Sequence, residues 1–153
     1  MSGRMGELIR FHTRYKLLLM ALSQKHLREL GRVVANPAGR PFGEVVARYR
    51  EGFRAALARP PRRPSVLNVL MHALGYFSDR LTPAEKGHFL DVLAAYRQGV
   101  LPLGAPVSIL RSWIVRFEEP YLADQAFFRP YPDALLRQSM KRTMTCFLIA
   151  QPP

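Results

Sequence analysis

Apolar residues in this chain recur every three or four positions, and prolines and glycines cut the pattern into short lengths. Only a helix gathers positions of that spacing on one side. Helices this short are marginal alone, so they must bury their stripes against one another. Phe11, Tyr15, Leu18 and Leu22 stand at i, i+4, i+7 and i+11 and predict a first helix from Met5 to Leu22. Ser23 suits the cap of a second, with Leu27, Leu30 and Val34 inward and Asn36-Pro37-Ala38-Gly39 as its stop. A third helix, Pro41 to Ala58, would bury Val46, Tyr49, Phe53, Ala56 and Leu57 and leave Arg48, Arg50 and Arg54 in water.

Arg59-Pro60-Pro61-Arg62-Arg63-Pro64 reads as a stiff basic linker that cannot be helical. Ser65 reopens helix from Val66 to Asp79. Thr82-Pro83-Ala84-Glu85 combines a capping hydroxyl, a first-turn proline and the acid of a capping box, so a helix should run to Gln98. Pro106 to Phe117, Pro120 to Phe127 and a last segment from Pro132 complete the set, the last with Leu135, Leu136, Met140, Met144, Phe147 and Leu148 on its apolar side. No alternating strand pattern exceeds four residues and no repeat is visible. The expectation is an all-α bundle of about seven helices in one domain, residues 1–153.

A chain of 153 residues suits one core, and 48% apolar residues argue against disorder. Its single cysteine, Cys146, makes no internal disulfide, zinc site or iron–sulfur cluster, and sits among apolar neighbours that suit a buried thiol. That points to a reducing, cytoplasmic setting. No apolar run reaches the length of a membrane span. Arg4 and Arg10 ahead of Leu17–Leu22 mimic a signal peptide weakly, but Glu7, His12, Arg14 and Lys16 interrupt it, so the segment is expected to stay.

Charge is lopsided. Residues 1–63 hold 14 Lys/Arg against four Glu, whereas residues 64–153 hold nine against seven acids. Such asymmetry describes what the surface attracts, and the expected partner is a polyanion such as nucleic acid. Nineteen of the 23 basic residues are Arg, whose flat guanidinium both pairs with phosphate and stacks on bases. Arg10/Arg14 and His12/Lys16 are i, i+4 pairs on the first helix. With Lys25, Arg28, Arg32, Arg59, Arg62 and Arg63 they form the candidate phosphate-binding set, against the plainer reading of a solvated face.

Asn68, His72 and Tyr76 stand at i, i+4 and i+8 beside Leu67, Leu70, Met71 and Leu74. They suit either base contact or a buried polar seam tethering helices. Arg111, Gln125 and Tyr131, the last held between Pro130 and Pro132, complete the candidate cleft with His12. The four histidines show no metal-ligand spacing, and the phosphate-loop, dinucleotide and nucleophile-elbow motifs are absent, so neither metal, cofactor nor catalytic residue is expected.

Phe11-His12-Thr13-Arg14 with Lys16 to Ala21, then Arg28 to Arg32, resemble the opening of the bacterial YbgA-like domain family. Asn68-Val69-Leu70 with His72, Gly75-Tyr76-Phe77, Tyr96-Arg97, Leu110-Arg111, Tyr121-Leu122 with Gln125, and Pro130-Tyr131-Pro132 follow in order. The match covers about residues 8–137 and leaves the tail 138–153 unmatched. Tyr15, Leu22 and Gln24 depart from the family pattern, where a His, a His and a Pro are usual. In some bacteria the domain is fused behind a cysteine-rich desulfidase domain whose iron–sulfur cluster removes sulfur from thiouracil-type bases. The resemblance therefore implies an RNA-binding role in the desulfurisation of 4-thiouridine in tRNA, here as a stand-alone version acting in trans or on its own.

The sequence thus predicts a non-catalytic tRNA- or RNA-binding protein. One alternative is an interaction module docking a separate iron–sulfur desulfidase or repair enzyme, through the last helix and acids such as Glu118, Glu119 and Asp124. A second is a nucleotide-acting enzyme using His72 and His12.

Overall fold

The computed structural model describes residues 2–129. Among them run α1 (Ser2–Arg14), α2 (Lys16–Leu22), α3 (Gln24–Ala35), α4 (Phe42–Leu57), α5 (Arg63–Gly75), α6 (Pro83–Arg97), α7 (Gly104–Arg116) and α8 (Pro120–Asp124), then a 3-10 turn, Ala126–Phe128. The described residues contain no strand, and the all-α expectation holds. None of these helices is long and apolar enough to cross a membrane. The segment expected from Pro132, with Tyr131 and Cys146, lies outside the described residues.

The stretch read as one helix from Met5 to Leu22 is two. After Lys16, α2 is apolar all round, which suits a helix buried on several sides. Leu17 and Ala21 enter the larger core with Val69, Phe77, Leu110 and Leu122, while Leu19 enters a second core with Leu30, Val34, Tyr49 and Ala56. The predicted stripe is therefore not the buried one: Phe11 is 39% exposed, and Leu18 is only partly buried.

The break falls at Tyr15, whose φ of −95° and ψ of 4° leave the helical region. A side chain from far along the chain fills the gap. The Leu17 N–H donates to Gln125 Oε1 at 3.2 Å, and Gln125 Nε2 donates to the Thr13 carbonyl at 2.8 Å. In an unbroken helix Leu17 would bond Thr13 directly, so the amide is inserted into the i to i−4 ladder. Gln125 is 1% exposed and is the one buried polar residue among those described.

α3 and α4 form a hairpin. Asn36 ends α3 in the left-handed region (φ 45°), and its side chain clamps the loop by bonding both the N–H and the carbonyl of Arg40 at 2.9 and 3.0 Å. The helices approach closely at Gly52, where a Cβ would lie 2.9 Å from Cδ2 of the buried Leu30. Val45, not Val46, is the buried valine of α4.

The basic linker is shorter than expected. α5 begins at Arg63, because Pro64 in a first turn has no N–H to lose and its φ already suits a helix. It ends at Gly75, four residues before the predicted Asp79. The Arg63 guanidinium lies 5.5 Å from the Tyr96 ring centroid, against the end of α6. There Gly99 takes a φ of 80°, and a Cβ would meet Arg63 Nη1 at 3.1 Å, so glycine is demanded twice. The capping box of α6 forms in both directions, Glu85 N–H to Thr82 Oγ1 at 3.2 Å and Thr82 N–H to Glu85 Oε2 at 2.8 Å.

Gln125→Leu keeps volume but orphans the Leu17 N–H and the Thr13 carbonyl, so urea denaturation should show a loss of about 2–4 kcal/mol. The Thr82 backbone N–H, then the Arg116 guanidinium, hold the Glu85 carboxyl below its ordinary value of 4.5. A group lowered on folding stabilises fully above its unfolded pKa and loses that contribution as pH falls through the folded one. Urea midpoints of Glu85→Gln should therefore fall less steeply than the parent's below pH 4.5.

Candidate functional site

The site grows from the α3–α4 hairpin. Burying Leu30 and Val34 against Tyr49 and Ala56 turns Lys25, Arg28 and Arg32 of α3 and Arg48, Arg50 and Arg54 of α4 to solvent. Two concavities form between these helices. One, of about 570 Å³, is lined by Gln24, Lys25 and His26, by Arg59 and Arg62 of the linker, and by Ser65 of α5. The other, of about 220 Å³, gathers Arg32, Arg40 and Arg48 around the loop after α3. Glu44 binds Arg40 at 2.6 Å and Arg48 at 3.2 Å there.

α1 seats on the hairpin through aromatic contacts. Phe11 stacks on Tyr15 at 4.4 Å, and both meet Phe53 edge-on at 5.5 and 5.4 Å. His12 Nδ1 and Tyr49 Oη share a hydrogen bond of 3.1 Å, and the other ring nitrogen faces Gly31 of α3. Burial, then the nearby Lys16 ammonium, pull the His12 pKa below its ordinary 6.5. Burial pushes the Tyr49 phenol up to about 12. His12 is thus half-buried at the α1–α4 contact, with its ring held by Tyr49.

Two arginines near the ends of α5 and α7 are built into the fold. Arg80 bonds the carbonyls of Tyr76 and Phe117 and pairs with Glu119 at 3.2 Å, and Arg116 pairs with Glu85. Both also lie over the Phe117 ring, at 4.9 and 4.7 Å. In the basic half, Arg14 makes only a 4.0 Å contact with Asp124, and Lys25 pairs with Glu29 at 3.8 Å. Arg10, Lys16, Arg28, Arg32, Arg50, Arg54, Arg59 and Arg62 make no ion pair among the described residues. Arg63 likewise makes no ion pair among the described residues, and its guanidinium lies against the Tyr96 ring.

Asn68, His72 and Tyr76 line an exposed face of α5, so the buried-seam alternative fails. Their apolar neighbours Val69, Leu70 and Ala73 take the buried side instead. Tyr76 stacks on Tyr121 of α8 at 5.4 Å, and His72 meets Tyr76 edge-on at 5.7 Å. Burial, then the neighbouring Tyr76, raise the Tyr121 pKa. Nothing joins His72 to His12, which contacts Tyr49 and Gly31 instead.

Arg111 is exposed on α7, in a separate groove of about 720 Å³ with Glu118, Glu119 and Arg129. Gln125 is no surface contact: both ends of its amide are consumed by the α1–α2 break. Tyr131 lies outside the described residues. Sequence reasoning missed Arg40 and Arg48, although their i±4 spacing about Glu44 was visible, and Tyr49 as the partner of His12.

A family model described as "Protein of unknown function (DUF1722)" matches residues 16–132. The chain belongs to this family. It is 31% identical over 136 residues to "Uncharacterized protein YbgA" of Escherichia coli (strain K12), covering 88% of this chain and 80% of that protein. No solved structure matches. The YbgA-like resemblance thus holds, with the family model running from α2 through α8.

For His12 the sign is fixed by its lowered pKa: stability is complete above 6.5 and falls as pH drops through the folded value. NMR titration of the ring should give a midpoint below 6.5 that rises in Lys16→Gln. A parent midpoint at or above 6.5 would contradict the lowering by partial burial and Lys16.

Proposed function

We propose that this YbgA-like domain binds RNA, with tRNA the expected class, and supplies no catalytic group of its own. The observation that carries the reading is the set of exposed arginines on α3, α4 and the 59–62 linker that have no acidic partner among the described residues. Surface ion pairs contribute little to stability, so their scarcity here costs the fold almost nothing and leaves guanidinium groups available to phosphate. Of these arginines, Arg32 lines one concavity and Arg59 and Arg62 line the other. Tyr76, exposed and stacked on the half-buried Tyr121, stands with Asn68 and His72 where an unpaired base can pack.

A role beside thiouridine desulfurisation, with an iron–sulfur desulfidase in trans and in a reducing cytoplasm, is part of the same proposal. It draws on the family resemblance and on the composition of one cysteine. A second reading, a protein-docking module, is favoured by one observation. Leu67, Met71 and Leu90 line an apolar groove of about 310 Å³ between α5 and α6, with Met71 48% and Leu90 45% exposed. The histidine enzyme gains no support, because His12 is engaged with Tyr49.

Fluorescence anisotropy with tRNA across a salt series tests the reading. The double variant Arg28→Ala/Arg32→Ala should weaken binding and take about one unit off the log–log salt slope for each phosphate no longer bound. Unchanged affinity and slope would sink it, and a desulfidase captured after nuclease treatment would favour the docking module.

A further inference from the structure

The 570 Å³ cleft differs from the rest of the basic surface in how its cations are assembled. Lys25 comes from the first turn of α3, Arg59 from the bend after α4, and Arg62 from the residue before α5. Two stretches distant in sequence, the first turn of α3 and the 59–62 linker, thus bring positive residues to one concavity. Gln24, His26 and Ser65 add hydrogen-bonding side chains beside them, while Leu22, Ala55 and Ala56 form an apolar wall. Only Lys25 has an acidic partner among the described residues, and that contact with Glu29 is a loose 3.8 Å.

Charge matching narrows what fits. An internal phosphodiester carries one negative charge, less than this cleft offers. A phosphate monoester carries about −1.5 to −2 at neutral pH and three strong acceptor oxygens, which suits several cations acting together. The start of α5 adds to them: Arg62 gives no side-chain cap, and the dipole there favours an anion. Room for more than phosphate alone, with the apolar wall of Leu22 and Ala55, suits a phosphate still attached to its nucleoside.

We infer that the cleft formed by Lys25, Arg59, Arg62 and Ser65 is a binding site for a nucleotide phosphate monoester, either the terminal phosphate of an RNA strand or a free nucleoside monophosphate. This rests on the RNA-binding reading for its source of ligand but not for its chemistry. Arg63 is excluded from the site, because its guanidinium is turned to Tyr96 and Gly99. His26 sits at the edge, with its ring bonded to the Ser23 hydroxyl at 2.9 Å.

The test compares one short single-stranded RNA, labelled internally, in forms bearing a 5′-phosphate, a 3′-phosphate or hydroxyl at both ends. One phosphorylated form should bind about tenfold more tightly than the hydroxyl form, roughly the value of one charge-assisted hydrogen bond. Arg59→Gln/Arg62→Gln should abolish that preference while leaving residual binding of the hydroxyl form. Lys25→Gln serves the same purpose if the double variant melts early. Equal affinity for all three RNAs would overturn the site and leave the RNA reading standing. If no RNA binds, that reading fails, and an NMR titration with adenosine monophosphate decides the cleft alone. Saturable shifts of the Lys25, Arg62 and Ser65 amides, abolished in the double variant, support it; no saturable shift overturns it.

Discussion

A single buried amide holds the two parts of this molecule in register. Gln125, at the junction of α8 and the 3-10 turn, reaches the break between α1 and α2 and bonds both polar groups that the break exposes. Without it, a donor and an acceptor would be buried without partners, which costs far more than one hydrogen bond contributes in water. The break is what lets α2 serve both cores while α1 lies against α3 and α4. α2 thus joins the basic hairpin to the α5–α8 layer through both cores, and the break before it is closed by a side chain 108 residues from the Leu17 N–H it accepts.

Charge follows the same division. In the α5–α8 layer the central arginines are part of the structure, pairing Arg80 with Glu119 and Arg116 with Glu85 across the Phe117 ring. In the hairpin, packing is achieved by aliphatic and aromatic contacts, and apart from Arg40 and Arg48 on Glu44 its guanidinium groups make no ion pair among the described residues. A surface built that way attracts polyanions and orients them, without affecting how the fold is held. Membership of the YbgA-like family names no ligand, and the chemistry of the hairpin supplies the direction in which to look for one.

Much of the fold was legible in the sequence because its signals are local. The Thr82–Glu85 box, the Asn36 stop and the inward faces of Leu30 and Val34 depend only on near neighbours, and the structure reproduces them. The failures share one cause, contacts made across the chain. The inserted Gln125 amide split a helix whose spacing looked continuous, and it withdrew a residue expected at the surface. The contacts of Tyr49 with His12 and of Tyr96 with Arg63 likewise join residues far apart in sequence. Exposure of Asn68, His72 and Tyr76 could not be chosen from spacing alone, since the same i, i+4, i+8 row serves a seam or a surface. Convergence of Lys25 with Arg59 and Arg62 needs the hairpin to fold back, which no periodicity shows.

The most direct test of an RNA interface on the arginine hairpin is amide hydrogen exchange of the whole chain with and without saturating tRNA. Added protection should appear on α3, α4 and residues 59–65, with α6 and α7 unchanged. Protection confined to the α5–α6 groove, or to α7 and α8, would contradict it by moving the interface off the hairpin.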